Sequence, residues 1–238
     1  MPDFNFAPFL EYAEKNSISI PENIVESLSL YGNLLLEWNE KINLTAIKEP
    51  NEIVVKHFID SLSLLKFINP KDGENLIDVG TGAGFPGMVI KILRPELNVT
   101  LLDGHAKRFI FLEDLQNQLG IKTQNLHIRA ELAAKDLNYR EKFDYATARA
   151  VARLNTLAEY CLPFVKKSGK FVAMKGPGAE EELIEAKKAI SILGGDTPSL
   201  IKEELPMENT RNFIISLKIK PTGEKYPRAS AKINKNPL

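Results

Sequence analysis

The chain has 238 residues, 44% hydrophobic and 26% charged, which is enough apolar material for one large domain with an appendage and too much for a disordered chain. Thirty-one basic and 31 acidic residues cancel, so the molecule exerts no global attraction on nucleic acid and any RNA or DNA contact has to come from a local patch. The single cysteine, Cys161, excludes an internal disulfide and a multi-cysteine metal cluster, and no apolar run approaches the roughly 20 residues of a bilayer-spanning helix.

The first segment, MPDFNFAPFLEYAEKNS, has no basic stretch followed by an apolar one, which argues against export and leads us to expect a cytoplasmic protein. Nothing up to residue 67 reads as a strand. Ile24, Leu28, Tyr31, Leu35 and Trp38 recur at helical spacing after Pro21-Glu22, and Val54, Phe58, Leu62 and Leu65 form a second stripe that stops at Asn69-Pro70. These stripes predict an N-terminal helical cap over residues 1–70, with Trp38 and Phe58 in its core. His57 and Asp60 lie three apart on one helix face, placed either to reach a pocket or simply to pack on the surface.

From Glu74 the pattern changes. Strand-length apolar runs (NLIDV, NVTLLD, QNLHIR, FDYATAR, KFVAMK) alternate with amphipathic segments, the signature of βαβ units and a mostly parallel sheet covered on both faces. After Gly194-Gly195 two strands, LIKEEL and NFIISLKIK, follow with no helix between them and predict a closing antiparallel pair. The expected fold is therefore α/β, a seven-stranded sheet over residues 71–220. Residues 221–238 carry four basic residues against Glu224 alone and read as a basic tail, in contrast to residues 1–66, with ten acidic and five basic residues.

The most informative segment is LIDVGTGAGFPGMVIKIL, a strand, a glycine cluster and a helix. Gly80, Gly82 and Gly84 allow a sharp turn and a close backbone approach to a ligand, and Pro86 suits the first helical turn. Residues 82 to 87 match G-x-G-x-x-G, but no Gly-Lys-Ser/Thr follows, which excludes a Walker-type loop. Asp78, ending the strand, would repel a pyrophosphate and suits a ligand that is cationic nearby. S-adenosylmethionine has a sulfonium, an amino group and no phosphate. Asp103, closing NVTLLD, is placed to accept the two ribose hydroxyls. The competing reading gives both carboxylates local work, Asp78 capping the turn and Asp103 capping the helix that starts near His105.

WNEKINLTAIKEPNEIVVKHFIDSL, LIDVGTGAGFPGMVIKILRPELNVTLLDGHAKRFIFL, ATARAVARL, KGPGAEEEL and YPRASAKINKNPL together resemble the bacterial small-subunit ribosomal RNA guanine-N7 methyltransferases, the glucose-inhibited division protein B family. The resemblance covers nearly the whole chain in order. It implies a Rossmann-like S-adenosylmethionine-dependent methyltransferase fold, methylation of one guanine at N7 in 16S rRNA, and cofactor contacts at Gly80, Phe85, Ala130, Glu131 and Arg149, beside Asp78, Gly82 and Asp103. The family usually has a serine after the ribose-binding Asp and a glycine and a proline in the tail, where this chain has Gly104, Ala231 and Ile233.

Guanine N7 carries an in-plane lone pair and no proton, so transfer to it needs alignment rather than a base, and we expect no catalytic side chain and no metal. The three histidines, His57, His105 and His127, form no Ser/His/Asp pattern, and Cys161 beside Leu162-Pro163 reads as a buried, inert thiol. Arg149 reads as a positioning residue. Lys107 and Arg108 stand in the first turn of a helix, where cations oppose the dipole; RNA phosphate or a neighbouring carboxylate would compensate them. With Arg153, Lys175, Arg228 and Lys232 they would form a basic rim that grips RNA backbone, leaving specificity to RNA shape or a flipped base. The substrate partner expected is 16S rRNA or the small ribosomal subunit. A small-molecule methyltransferase and a non-catalytic RNA-binding assembly factor are the alternatives.

Overall fold

The structure, a computed structural model, describes residues 3–238; Met1 and Pro2, at the head of the segment read for export, lie outside the described residues. The cap consists of α1 (Ala7–Lys15), α2 (Ile24–Asn39) and a helical run made of α3 (Pro50–Ile53), a π-helical turn (Val54–Ile59), α4 (Asp60–Leu62) and a 3-10 turn (Ser63–Lys66). The second apolar stripe is therefore helical throughout but not uniformly wound, and the widened turn holds His57.

The sheet elements follow in the expected alternation: β1 (Asn75–Val79), α5 (Gly87–Leu93), β2 (Asn98–Asp103), α6 (Ala106–Leu119), β3 (Gln124–His127), α7 (Ala130–Ala133), β4 (Phe143–Arg149), α8 (Leu154–Cys161), β5 (Val165–Lys175), α9 (Ala179–Ile192), β6 (Ser199–Leu205) and β7 (Asn209–Leu217). The strand order is β3-β2-β1-β4-β5-β7-β6. Strands β1 to β5 pair in parallel, while β7 runs antiparallel to both β5 and β6. The order reverses between β1 and β4, so the crevice at their carboxyl ends is the switch point where such sheets hold ligands.

Side chains alternate across the sheet with a period of two, and the sequence shows why both faces are covered. In β1, Leu76 faces one core and Ile77 the other; in β5, Val172 and Met174 face the first while Phe171 and Ala173 face the second. The first core is shared with the cap: Phe9, Leu28, Tyr31 and Phe58 pack with Met88, Phe111 and Phe213. Each such side chain, fully buried, contributes about 1.5–3 kcal/mol. The second core holds Leu157, Phe164 and Ile190, and also Tyr226 and Ile233 from the C-terminal segment.

That segment is the main difference from the sequence reading. Residues 221–238 fold back over α8 and end in a short helix, α10 (Ser230–Lys235), whose Ile233 is fully buried. Among the described residues, no helix is long and apolar enough to cross a membrane and no group of His, Cys, Asp and Glu is arranged to hold a metal ion.

Candidate active site

The glycine turn after β1 is built by its backbone. Gly80, Gly82 and Gly84 all take positive φ, 73°, 60° and 94°, which L side chains adopt only under strain. A Cβ on Gly82 would meet nothing within 4 Å, so the turn faces open space, whereas one on Gly80 would stand 2.6 Å from Val151. Of the turn's glycines, Gly80 lines the floor of a crevice of about 420 Å³ at the carboxyl ends of β1, β2, β3 and β4, while Gly82 and Gly84 stand outside its lining. This volume is within the range of small-ligand sites. A larger depression, about 720 Å³, lies at the opposite ends of the strands around Asn75, Asn98 and Gln124, away from the switch point.

Asp103 lines the crevice with its carboxylate almost fully buried. Its Oδ2 accepts hydrogen bonds from the Gly82 amide (3.0 Å) and the Arg108 guanidinium (2.6 Å), and its Oδ1 from the His105 amide (2.9 Å), with the His105 ring nitrogen at 3.1 Å. A carboxylate offers about four lone-pair sites, so this one is saturated. The two backbone donors are fixed. The His105 and Arg108 side chains are 73% and 35% exposed.

Asp78 is placed differently. It is fully buried and does not line the crevice; its Oδ2 accepts from the Thr81 hydroxyl (2.6 Å) and the Gly87 amide (2.9 Å), which ties the turn to the start of α5. Its Oδ1 has no partner, nor has Thr147 Oγ1, the residue opposite it in register on β4. Burial pushes the Asp78 carboxyl up to about 6, against the hydrogen bonds and Arg149, which hold it down.

Of the other positions singled out in the sequence, Ala130 and Glu131 line the crevice at the end of β3. Phe85 and Arg149 do not. Phe85 is buried between Tyr31 (ring centroids 5.0 Å apart) and His57 (4.4 Å), and Arg149 lies over its ring at 5.1 Å. The Arg149 guanidinium also donates to the Lys56 carbonyl (3.0 Å) and to Asp60 (2.6 Å), which is fully buried and takes two further bonds from Arg211 at 2.6 and 2.9 Å. Burial and Arg149 together lower His57 to about 3, so it remains neutral. This knot bolts the glycine turn to the cap.

The basic rim divides. Lys175 and Arg228 are turned inward, because a buried cation needs a partner and each has one: Lys175 binds Glu182 (2.7 Å) and the Ala152 carbonyl (2.8 Å), and Arg228 forks onto the fully buried Glu159 (2.6 and 2.9 Å). Arg108 is held by Asp103, and Arg153 pairs with Glu185 at the surface. Lys107 and Lys232 are exposed, close in sequence to the crevice residues His105 and Asn234. Sequence reasoning missed Arg129, Val151, Tyr160 and Asn234, all lining the crevice. Ala150, just past β4, holds φ at 55°, a strained value for a residue with a Cβ, and so presents Val151 over the glycine turn.

Comparison with known proteins bears on this geometry. A family model described as rRNA small subunit methyltransferase G, GidB, matches residues 24–210. The chain is 49% identical over 210 residues to a ribosomal RNA small subunit methyltransferase G of Clostridium botulinum, covering 87% of this chain and 88% of the relative. It is 46% identical over 231 residues to the protein of the same name from Alkaliphilus oremlandii, covering 96% of each. Among solved structures, a SAM-dependent O-methyltransferase from Thermotoga maritima superposes with a TM-score of 0.54 at 14% identity over 79% of this chain and 72% of that one. A 16S rRNA adenine-N1 methyltransferase from Catenulisporales acidiphilia gives 0.54 at 13% identity, over 64% and 88%. At these identities the structural likeness concerns the fold.

Proposed function

The chain belongs to the rRNA small subunit methyltransferase G family, and from that premise we propose that its crevice binds S-adenosylmethionine and that it methylates N7 of a guanine in 16S rRNA. The single observation that carries the cofactor assignment is the hydrogen bond from the Gly82 amide of the glycine turn to Asp103, whose carboxylate lines the crevice beside Gly80. The residues present fit the group: Asp103 takes the ribose hydroxyls in place of the His105 and Arg108 side chains, and Ala130 and Glu131 border the base. Asp78, turned away, shapes the floor rather than touching the ligand. Phe85 and Arg149 act through the turn that they clamp.

When bound, S-adenosylmethionine supplies the electrophilic methyl group. The chain's own residues hold the acceptor in line with it, and proximity and orientation provide most of the acceleration. No side chain has to remove a proton, which agrees with a site whose His57 is sealed in the cap. Val151, held over the turn by the bond from Lys175 to the Ala152 carbonyl, offers an apolar surface against which a flipped base rests. Lys107, Arg129 and Lys232, exposed around the mouth, contact phosphate; Arg153 joins them at little cost, since its surface pair with Glu185 is worth at most about 1 kcal/mol.

The test is transfer from labelled S-adenosylmethionine to ribosomal RNA and to small subunits from cells lacking the enzyme. Label at N7 of one guanine is expected, falling steeply with salt as phosphate contacts demand. Turnover of a small acceptor with no salt dependence would support the small-molecule reading instead. Absence of label on every form of the RNA would defeat the proposal.

A further inference from the structure

The C-terminal segment is built into the molecule. The Arg140 guanidinium donates to the carbonyls of Thr222 and Tyr226 at 2.6 and 2.8 Å, and Glu141 accepts the Thr222 amide at 2.7 Å. Glu159, fully buried on α8, takes both the backbone amide and the guanidinium of Arg228. Ile233 completes the second core, and Ser230 Oγ accepts from Arg129 at 2.8 Å. These anchors leave α10 little freedom. One of its side chains, Asn234, forms part of the crevice wall together with Tyr160, whose hydroxyl donates to Asn234 Oδ1 at 3.3 Å.

The geometry points to Asn234 as the residue that reads the edge of the cofactor's purine, so that the tail completes the cofactor site; this inference rests on the assignment of the crevice to S-adenosylmethionine. With the ribose hydroxyls on Asp103, the lining left to hold the purine is that past the end of β3, Ile128 and Ala130, with Tyr160 and Asn234. Among the described residues that line the crevice, Asn234 alone carries a side-chain amide. An amide presents a donor and an acceptor side by side, the complement of an adenine edge, where a ring nitrogen accepts and the 6-amino group donates. Hypoxanthine, with an oxo group in place of that amino group, reverses the pattern. The amide nitrogen of Asn234 makes only a long bond to Ser230, 3.5 Å, which it exchanges for the purine. The Tyr160 hydroxyl, donating to Oδ1 at 3.3 Å, keeps the amide from turning over and leaves Oδ1 a second lone pair for the 6-amino group. Asn234 is exposed while its neighbour Ile233 anchors the helix, so its replacement disturbs the site and not the fold.

The experiment is calorimetric titration of the full-length protein with S-adenosylhomocysteine and with its 6-oxo analogue, S-inosylhomocysteine. The parent protein binds the adenosyl compound and discriminates against the inosyl one. Asn234→Ala is expected to weaken the adenosyl compound about 5- to 100-fold, as loss of a bidentate base contact does, to leave the inosyl compound almost unaffected, and to keep its melting temperature. Asn234→Asp, which loses the donor but keeps the acceptor, should fall between the two. A variant Asn234→Ala that binds both compounds as the parent does, or that loses both equally, overturns the inference while leaving the crevice assignment intact. A parent protein that binds neither overturns the crevice assignment itself.

Discussion

Asp60 and Asp103 are both buried carboxylates near the carboxyl edge of the sheet, and both are held by positively polarised donors. The donors differ. Arg149 and Arg211, which hold Asp60, are only 11% and 20% exposed and come from the ends of β4 and β7, so the knot joins the cap to two strands and has nowhere to go. The side chains on Asp103 are more exposed, His105 at 73% and Arg108 at 35%. Asp60 accepts three hydrogen bonds and Asp103 four, so the number of bonds hardly separates them; the exposure of the donors does, and on the function proposed above one set fixes the architecture while the other keeps a ligand site satisfied until it is filled. The contrast also places Arg149 on the architectural side: it stacks on Phe85 and clamps the glycine turn to the helical cap without lining the crevice.

The largest effect should come from opening the closed knot. Asp60→Ala leaves two largely buried guanidiniums without their shared partner, and removing one member of such a group costs about 3–5 kcal/mol. Urea unfolding should show a loss of that size. A loss below about 1 kcal/mol would mean that the knot is solvated and that the two carboxylates do not differ in kind.

How much of this contrast was readable in the sequence follows from the range of the interactions. β1, its glycine turn and Asp103 are defined by spacing within a few residues, and the period-two alternation that covers both faces is local in the same way, so they could be placed without a structure. Which way a charged side chain points is not local. Arg228 meets Glu159 across 69 residues and Arg211 meets Asp60 across 151, so the chain offered no sign that the first would leave the expected RNA rim or that the second would exist at all. Arg108 was the intermediate case: a cation in the first turn of α6 had to be compensated, and the compensating carboxylate was five residues away. The tail reads as basic from its composition, because four cations in 18 residues outweigh one buried isoleucine in any average, yet Ile233 and Tyr226 decide where it goes.

Gly80→Ala tests the floor of the open site. The new methyl group would have to tolerate φ near 73° and stand 2.6 Å from Val151, which costs about 1–3 kcal/mol and displaces the loop after β4. Binding of S-adenosylhomocysteine should fall by tenfold or more, measured by calorimetry beside a thermal melt; a variant with parental affinity would detach the glycine turn from the site. Asp103→Ala is the sharper counterpart to Asp60→Ala. It should weaken the same ligand by roughly 10- to 100-fold, the worth of one or two charge-assisted hydrogen bonds, with only a small shift in melting temperature. If Asp103→Ala instead unfolds the protein, its exposed partners are structural and the distinction from Asp60 collapses.

The smallest expected effect concerns pH, and it separates the two sides of the glycine turn. Asp78 ionises near 3.8 in an unfolded chain and near about 6 here, so between those values the folded protein holds a proton that the unfolded one lacks, and the stability this group contributes falls as pH rises toward 6. His57 works the other way: its ordinary value of 6.5 drops to about 3, the unfolded chain binds the extra proton between those limits, and stability falls as pH falls. The two slopes oppose one another between pH 4 and 6. Asp78→Asn keeps an acceptor for Thr81 and Gly87 but removes one of the two titrations, so the slope of His57 stands alone. Relative to the parent, the variant should lose about 1–2 kcal/mol more between pH 6 and pH 4, read from urea midpoints at each pH, since one unopposed proton amounts to about 1.4 kcal/mol per pH unit before relaxation. Parallel curves for the two proteins would show that Asp78 is not a desolvated carboxylate and that the turn is open to water beneath as well as above.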